Sequence, residues 1–499
     1  VTGRRRAAVL LGALALAALL IDLGRFHRLE NGDSIVPVLV ALQRWTPFYW
    51  DQERYGMLVP LLSLPVQDPL GNLLVQRGLL VLAGLASVVL LARHVLSRRD
   101  WPVAGALSAA ALLGAAPEAW RFEFLGSQPY GLSGTLALAG LAFAEPGPAD
   151  PGRGPGNRRP GWRVAVGSLL VLAAHWVNAA VGAALVPLAL ARAAVDAREG
   201  EPPAQVRGRL GVDLALLGGG LAAGQVLLRL HPLLTGSPLR LATGLLPVGR
   251  WPSAWTSLLG SAWREAGAWP WVLLAAAVAG VALLALPSLR PLLRTEVERA
   301  LLLLAAALAY ALFAGTLRWV AENAFHWRYL APSAVLVHVA AVSLLAEPLS
   351  RLARTARPAL AAAVALVPVA ALAVSGPPSP AGVRSDLDAV AGRHTEDVLA
   401  AGCDLVAGDY WTVWPAVWHA TLVARERGDG RRIWGISHRS NPTVAQWWSL
   451  PREALRICRP RGEEAAAERW LRAYHLWPAR EVERRGRVDV LAVDAAAGR

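Results

Sequence analysis

"VAVGSLLVLAAHWVNAAVGAALVPLALA", residues 164–191, decides how this chain is read. Two apolar halves flank His175, Trp176 and Asn178, and arginines bound both ends: Arg158, Arg159 and Arg163 before it, Arg192 and Arg198 after it. A single span would carry one arginine cluster to the outer side, against the bias that keeps basic residues inside. A hairpin of two short helices keeps both clusters inside and puts His175, Trp176 and Asn178 at an outer turn. At 1.5 Å per residue, halves of about 14 residues reach only about 21 Å, so the hairpin is short or re-entrant.

Outward from it, apolar runs recur at 7–23, 73–92, 101–117, 129–144, 211–229, 269–287, 300–316, 330–346 and 358–375. With the hairpin they predict 11 spans and a mainly α, polytopic helix bundle over residues 1–375. Arginine-rich flanks such as "RHVLSRRD", "RPLLRTEVER" and "RLARTARP" alternate with tryptophan-rich loops. The bias then sets the N-terminus inside and loops 24–72, 117–128, 230–268 and 316–329 outside, in a cytoplasmic (inner) membrane. The first run resembles a signal peptide, but no small-residue cleavage site follows it, and it is expected to remain as a span.

Composition agrees with this class. The 499 residues are 55% hydrophobic and 17% charged, and all 50 basic residues are Arg. The net charge of +14 does not point to nucleic acid, because residues 1–375 carry 32 Arg against 20 acids, between the apolar runs. Residues 376–499 carry 18 against 16.

"SGPPSPAG" (375–382) reads as a linker, with residues 376–382 separating the bundle from a soluble domain at 383–499. In that domain "CDLVAGD", "RRIWGIS" and "GRVDVLAVD" read as strands, and "TVWPAVWHATLVARE" and "GEEAAAERWLRAYHL" as helices. A small α/β extracytoplasmic domain is expected, with its C-terminus outside. It holds the only cysteines, Cys403 and Cys458. They pair if their Cα atoms come within about 7 Å; two buried free thiols are the other reading.

The chemistry-bearing stretch is "ENGDSIVPVLVALQRWTPFYWDQERYG", residues 30–56. Asp33 or Ser34 is expected to cap a helix with Pro37 in its first turn. That helix is apolar at Ile35, Val36, Val38, Leu39, Leu42 and Trp45, with Gln43 and Arg44 on a wet side, and is expected along the membrane surface. Asp33 therefore has two readings, a cap or a carboxylate that takes a proton from an acceptor hydroxyl or holds a cation. Asp51 and Glu53 are candidates for a second acid, and Trp50 for a ring that stacks on a sugar. In "APEAWRFEFLGSQPYG" (116–131), Glu118 and Gln128 are eligible to bind substrate, and in "HWRYLAPS" (326–333) so are His326, Arg328 and Tyr329. Zinc-ligand spacing, a nucleophile elbow and a Walker loop are all absent from the sequence.

On these residues the chain resembles the GT-C superfamily of membrane glycosyltransferases, which includes the protein O-mannosyltransferases and the aminoarabinose transferases of lipid A. Asp33 matches the family's early acid in the loop after the first span. Arg328-Tyr329 resembles the pair that often opens a late span, where a guanidinium can hold a phosphate. The resemblance implies inverting transfer of a sugar from a polyprenyl-phosphate carrier to a lipid, glycan or protein acceptor at the outer face, with membrane lipid as a further partner. Many members carry a double acid where this chain has Gly32-Asp33-Ser34; a divalent cation is an option rather than a requirement. The competing readings are a flippase or transporter of lipid-linked saccharide, and an O-antigen polymerase or ligase.

Overall fold

The computed structural model describes residues 2–50, 56–95, 101–145, 161–235, 244–284, 290–345, 366, 369, 370, 373, 376–437 and 455–493. The chain divides into two compact units. A helical unit comprises Val1–Leu20, Leu80–Arg229 and Leu241–Gly376; a mixed unit comprises Ile21–Leu79, Leu230–Arg240 and Pro377–Arg499.

The eleven-span reading is corrected. Among the described residues, four helices are long and apolar enough to cross a membrane: Pro69–Val95, Pro203–Leu230, Val297–Thr316 and Trp327–Leu345. Several other apolar runs form shorter helices, among them Tyr130–Ala144, Gly161–Val177 and Trp269–Gly280. A helix of about 15 residues is about 23 Å long, short of a hydrocarbon layer about 30 Å thick. Run-counting treats an apolar stretch as a span before its helical length is known. The chain is a multi-pass membrane protein, and its described residues form fewer long spans than the apolar runs imply; most of the run at 358–375 lies outside the described residues.

In the helical unit, the run at 164–191 does turn in its middle. Helices Gly161–Val177 and Val181–Arg198 flank a turn in which Asn178 Oδ1 accepts from the Ala180 N–H at 3.0 Å. Helix Gly161–Val177 packs on Tyr130–Ala144 through two glycines: a Cβ on Gly140 would meet the Gly167 carbonyl at 2.7 Å. Small residues let apolar helices approach this closely where no hydrophobic effect drives them together. Arginines in the flanks tie helix ends together: Arg192 pairs with Glu145, Arg209 with Asp196 and Glu201, and Arg299 with Glu199.

The mixed unit is built on a five-stranded sheet in the order β2-β1-β3-β5-β4. The strands are β1 (Leu405–Ala407), β2 (Trp434–Ile436), β3 (Arg456–Pro460), β4 (Ala479–Arg485) and β5 (Val488–Val493). β1 runs parallel to β2 and β3, while β5 is antiparallel to β3 and β4. The parallel pairs need crossovers, and helix Tyr410–Glu426 supplies the one between β1 and β2. Alternation along β1 divides the core: Val406 faces one apolar cluster, Leu405 and Ala407 the other. Helix Glu464–Ala473 covers the second cluster through Ala467 and Leu471. Cys403 and Cys458 form a disulfide with Cα atoms 5.7 Å apart, joining the entry to β1 with β3.

The first cluster holds the main departure from the sequence reading. Helix Gly32–Leu42 is no surface helix: Ile35, Val36, Val38, Leu39 and Val40 are all fully buried, in one core with Val413, Trp414, Val417 and Trp418. A short helix that is apolar on every face needs protein around it. The wet side expected at Gln43 is an anchor, since its Nε2 donates to the Ile433 carbonyl at 3.0 Å. The segment assigned by sequence to the bundle thus shares a unit with the C-terminal residues, and helix Pro380–Ala391 begins inside the expected linker, capped by Ser379.

Two outcomes follow from this unit. The disulfide closes a loop with a sequence separation of 55. Replacing both cysteines by serine is expected to cost about 4 kcal/mol, read as a lower unfolding midpoint in detergent. Burial also holds two imidazoles neutral. His419 Nε2 donates to Asp388 Oδ1 at 2.7 Å and its Nδ1 accepts from Thr395 Oγ1 at 2.8 Å, and burial still pulls it below its ordinary 6.5. His394 is lowered by burial, then by Arg393 and Arg487. The unfolded chain therefore binds more protons than the folded one just below pH 6.5, and stability present above 6.5 is lost on acidification. Thermal unfolding at pH 7.5 and 5.5 is expected to give the lower midpoint at 5.5.

Candidate functional site

Asp33 begins from its helix. The N-cap is Asn31, which corrects the assignment to Asp33 or Ser34: Asn31 Oδ1 accepts from the Asp33 N–H at 2.9 Å, and Ser34 Oγ accepts from the Asn31 N–H at 2.9 Å. This reciprocal pair is a capping box with Ser in place of the usual Glu. Pro37 lies inside the helix, and its carbonyl accepts from Gln76 Nε2 at 3.2 Å. Because Asn31 caps, the Asp33 carboxylate is released from that duty. It sits in the first turn, half-buried, where the helix dipole favours negative charge.

That carboxylate is held from far along the chain. Tyr410 Oη donates to Asp33 Oδ1 at 2.7 Å, and Tyr49 Oη lies 2.6 Å from Tyr410 Oη. Tyr410 is the first residue of helix Tyr410–Glu426, whose N-cap Asp409 accepts from the Trp411 N–H at 2.9 Å. The Tyr410 ring is buried against Gly32; a Cβ there would lie 2.6 Å from Tyr410 Cε1, so the approach requires glycine.

One turn before Asp33 lies a buried ionic cluster. Arg77 reaches Asp22 at 2.7 Å and Glu30 at 3.3 Å, and His27 lies 3.7 Å from Glu30. All four are at most 3% exposed. Burial pushes the Glu30 carboxyl up, but Arg77 and His27 more than offset it and hold Glu30 below its ordinary value. The cluster fixes the turn that delivers the chain to Asn31 and Asp33.

The other expected residues fall as follows. Trp50 is fully buried, 5.4 Å from Trp414 between ring centroids, so it is a core residue and not a platform for sugar. Asp51 and Glu53 lie outside the described residues. The remaining candidates belong to the helical unit. Arg328 is buried, its guanidinium 5.3 Å from the Tyr329 ring centroid, and its backbone N–H donates to His326 Nδ1 at 3.3 Å. Tyr329 Oη accepts from Trp319 Nε1 at 2.8 Å. Glu118 opens the short turn Glu118–Arg121, and Gln128 ends a π-helical turn, Phe122–Ser127. Single π-helical turns are frequent at functional sites.

Near Glu118 and Arg328 in sequence, an apolar cavity of about 580 Å³ opens in the helical unit. Trp120, Leu259, Trp263, Trp269, Leu308 and Leu330 line it, and Ser333 is its one hydroxyl-bearing lining residue. Trp327 lies against Trp120, with ring centroids 4.6 Å apart and planes tilted by 33°. The cavity runs along Val297–Thr316 and Trp327–Leu345, two helices long enough to cross a membrane. Among the described residues, no group of three or more His, Cys, Asp and Glu is arranged to hold a metal ion.

Sequence reasoning singled out Asp33, but not Tyr410, Glu30 or the role of Arg77. For Arg77 a signal existed, since an ionisable residue inside an apolar run is costly and paired. Nothing in "GDYW" marks Tyr410 as a partner of a residue 377 positions earlier.

Arg77→Ala leaves two buried carboxylates without their cation. It is expected to destabilise the mixed unit by about 3–5 kcal/mol, measured as loss of the folded fraction in detergent, while Arg77→Lys retains part of the stability. No family model matches this chain, and no curated protein matches it either.

Proposed function

We propose that this protein is a membrane glycosyltransferase that moves a sugar from a polyprenyl-phosphate carrier to an acceptor hydroxyl at the outer face of the cytoplasmic membrane. The observation that carries this reading is the Asp33 carboxylate: half-buried, free of the capping role, and oriented by Tyr410. In the transfer, the acceptor oxygen bonds to the anomeric carbon as the bond from that carbon to the carrier phosphate breaks. Asp33 takes the acceptor proton, and the phosphate leaves with the bonding pair. Attack opposite the leaving group inverts the anomeric centre.

Three further features support the reading. The apolar cavity suits a hydrocarbon chain that enters from the bilayer. Arg328 and Tyr329 follow Trp327 at the start of a membrane-crossing helix, where a guanidinium can meet a phosphate. The disulfide belongs to an oxidising compartment, which favours the outer face for the mixed unit. The resemblance to the GT-C superfamily now rests on the early acid, the Arg-Tyr pair and the C-terminal mixed unit, without the span count.

Movement of a lipid-linked saccharide without chemistry is the second reading. It draws on one feature, the buried Asp22–Arg77–Glu30 cluster, because ionisable groups in membrane-crossing helices mark transport paths.

Asp33→Asn separates the two. Asparagine still accepts from Tyr410 and leaves the Asn31 cap untouched, so the fold is retained. Loss of a general base is expected to lower the transfer rate by about 10²–10⁴-fold, assayed with a radiolabelled polyprenyl-phosphate sugar in proteoliposomes. Transfer at the parent rate would remove Asp33 from the chemistry. Relocation of the lipid across the bilayer with no new glycosidic bond would favour the second reading.

A further inference from the structure

We infer that Tyr410, backed by Tyr49, is the positioning residue for Asp33, so that the C-terminal part of the chain sets the orientation and proton affinity of the candidate base. The inference rests on the role proposed for Asp33 and goes beyond it. It assigns a function in the reaction to residues of the mixed unit that never touch substrate.

The direction of the hydrogen bonds follows from counting protons. Tyr410 has one hydroxyl proton, and it is given to Asp33 Oδ1 at 2.7 Å. In the 2.6 Å contact between the two hydroxyls, the donor must then be Tyr49. The chain is polarised one way, Tyr49 to Tyr410 to Asp33. Donation into the Tyr410 oxygen makes its own O–H a stronger donor. A hydrogen bond donated to a carboxylate favours its ionised form, so the pair of tyrosines favours the form of Asp33 that accepts a proton.

Packing makes the arrangement specific. The Tyr410 ring is 1% exposed and lies against Gly32, the residue before Asp33, at a distance no side chain would tolerate. The starts of helices Gly32–Leu42 and Tyr410–Glu426 therefore lie side by side, and each is fixed by its own cap, Asn31 and Asp409. Glu30 pairs with Arg77 and His27, and Asp409 accepts from the Trp411 N–H. The Tyr410 hydroxyl reaches Asp33, and the Tyr49 hydroxyl reaches that of Tyr410.

The test uses the full chain in proteoliposomes with Tyr410→Phe and Tyr49→Phe, which keep both rings and remove one hydroxyl each. Tyr410→Phe is expected to lower kcat by about ten- to a hundredfold with KM little changed, because it removes a hydrogen bond to a charged group. The acid limb of its pH profile should move to higher pH, since the lost donor no longer favours the ionised carboxyl. Tyr49→Phe should move both quantities the same way and by less. Added to Asp33→Asn, Tyr410→Phe should cost nothing more.

A second readout needs no turnover. The carboxyl infrared band of Asp33, isolated as the difference between the parent and Asp33→Asn proteins, reports the pH at which Asp33 protonates. That midpoint should rise in Tyr410→Phe. A parent-like kcat and acid limb in Tyr410→Phe, or an unmoved midpoint, overturns the inference. If the parent transfers no sugar, the proposed function fails, and the infrared midpoint still decides whether Tyr410 controls Asp33. If Tyr410→Phe does not fold, Tyr49→Phe carries the test by the same two readouts, and no shift in either overturns it.

Discussion

A helix of eleven residues that is apolar on all sides needs protein around it, and helix Gly32–Leu42 finds that protein in the C-terminal part of the chain. Val413, Trp414, Val417 and Trp418 close over Ile35, Val36, Leu39 and Val40. Once that contact is made, much else follows. Gly32 is brought against Tyr410, Asp33 is brought within reach of its hydroxyl, and Gln43 meets the carbonyl before β2. The apolar burial supplies the energy, and the polar contacts fix the register. A rotation of the helix by one residue, about 100°, would turn Asp33 away from Tyr410 and carry an aliphatic side chain to the hydroxyl.

The ionic cluster fixes the same helix from the other end. Asp22, Glu30 and Arg77 are charges withdrawn from water, and such groups are seldom a net source of stability. What they supply is geometry. Arg77 comes from helix Pro69–Val95 and grips the carboxylates on either side of the turn Phe26–Leu29, which leads directly to the Asn31 cap. The entry angle of helix Gly32–Leu42 is thus set before its first hydrogen bond. Asp33 is steadied on one side by a salt-bridged turn and on the other by a phenol.

The sequence was legible where the signal is local. Strands β1, β2 and β5 and helices Tyr410–Glu426 and Glu464–Ala473 appear where alternation and helical spacing predict them, while β3, β4 and helix Pro380–Ala391 were not read, and the run at 164–191 turns at Asn178 as expected. Span number was not legible, because hydropathy reports apolarity and not the length of unbroken helix. Tyr130–Ala144 and Gly161–Val177 are as apolar as the long helices and stop short of them. The cap was misread for a different reason: Asn31, Asp33 and Ser34 are all good caps, and only backbone geometry selects among them. Trp50 was misread because an aromatic residue beside carboxylates looks the same in sequence whether it faces a substrate or a core. Tyr410 was illegible because no local pattern records a partner 377 residues away.

That separation has a consequence during synthesis. Helix Gly32–Leu42 leaves the ribosome long before the residues that will bury it. At about 5–20 residues per second, the 377 residues between Asp33 and Tyr410 take roughly 20 to 75 seconds to make. For that interval the nascent chain carries an orphan apolar helix next to a membrane being threaded with long hydrophobic segments. It must shelter at the lipid headgroups or in the grip of a holdase until the last quarter of the chain arrives. A premature stop anywhere before residue 410 releases a product whose first helices are intact and whose candidate site was never assembled.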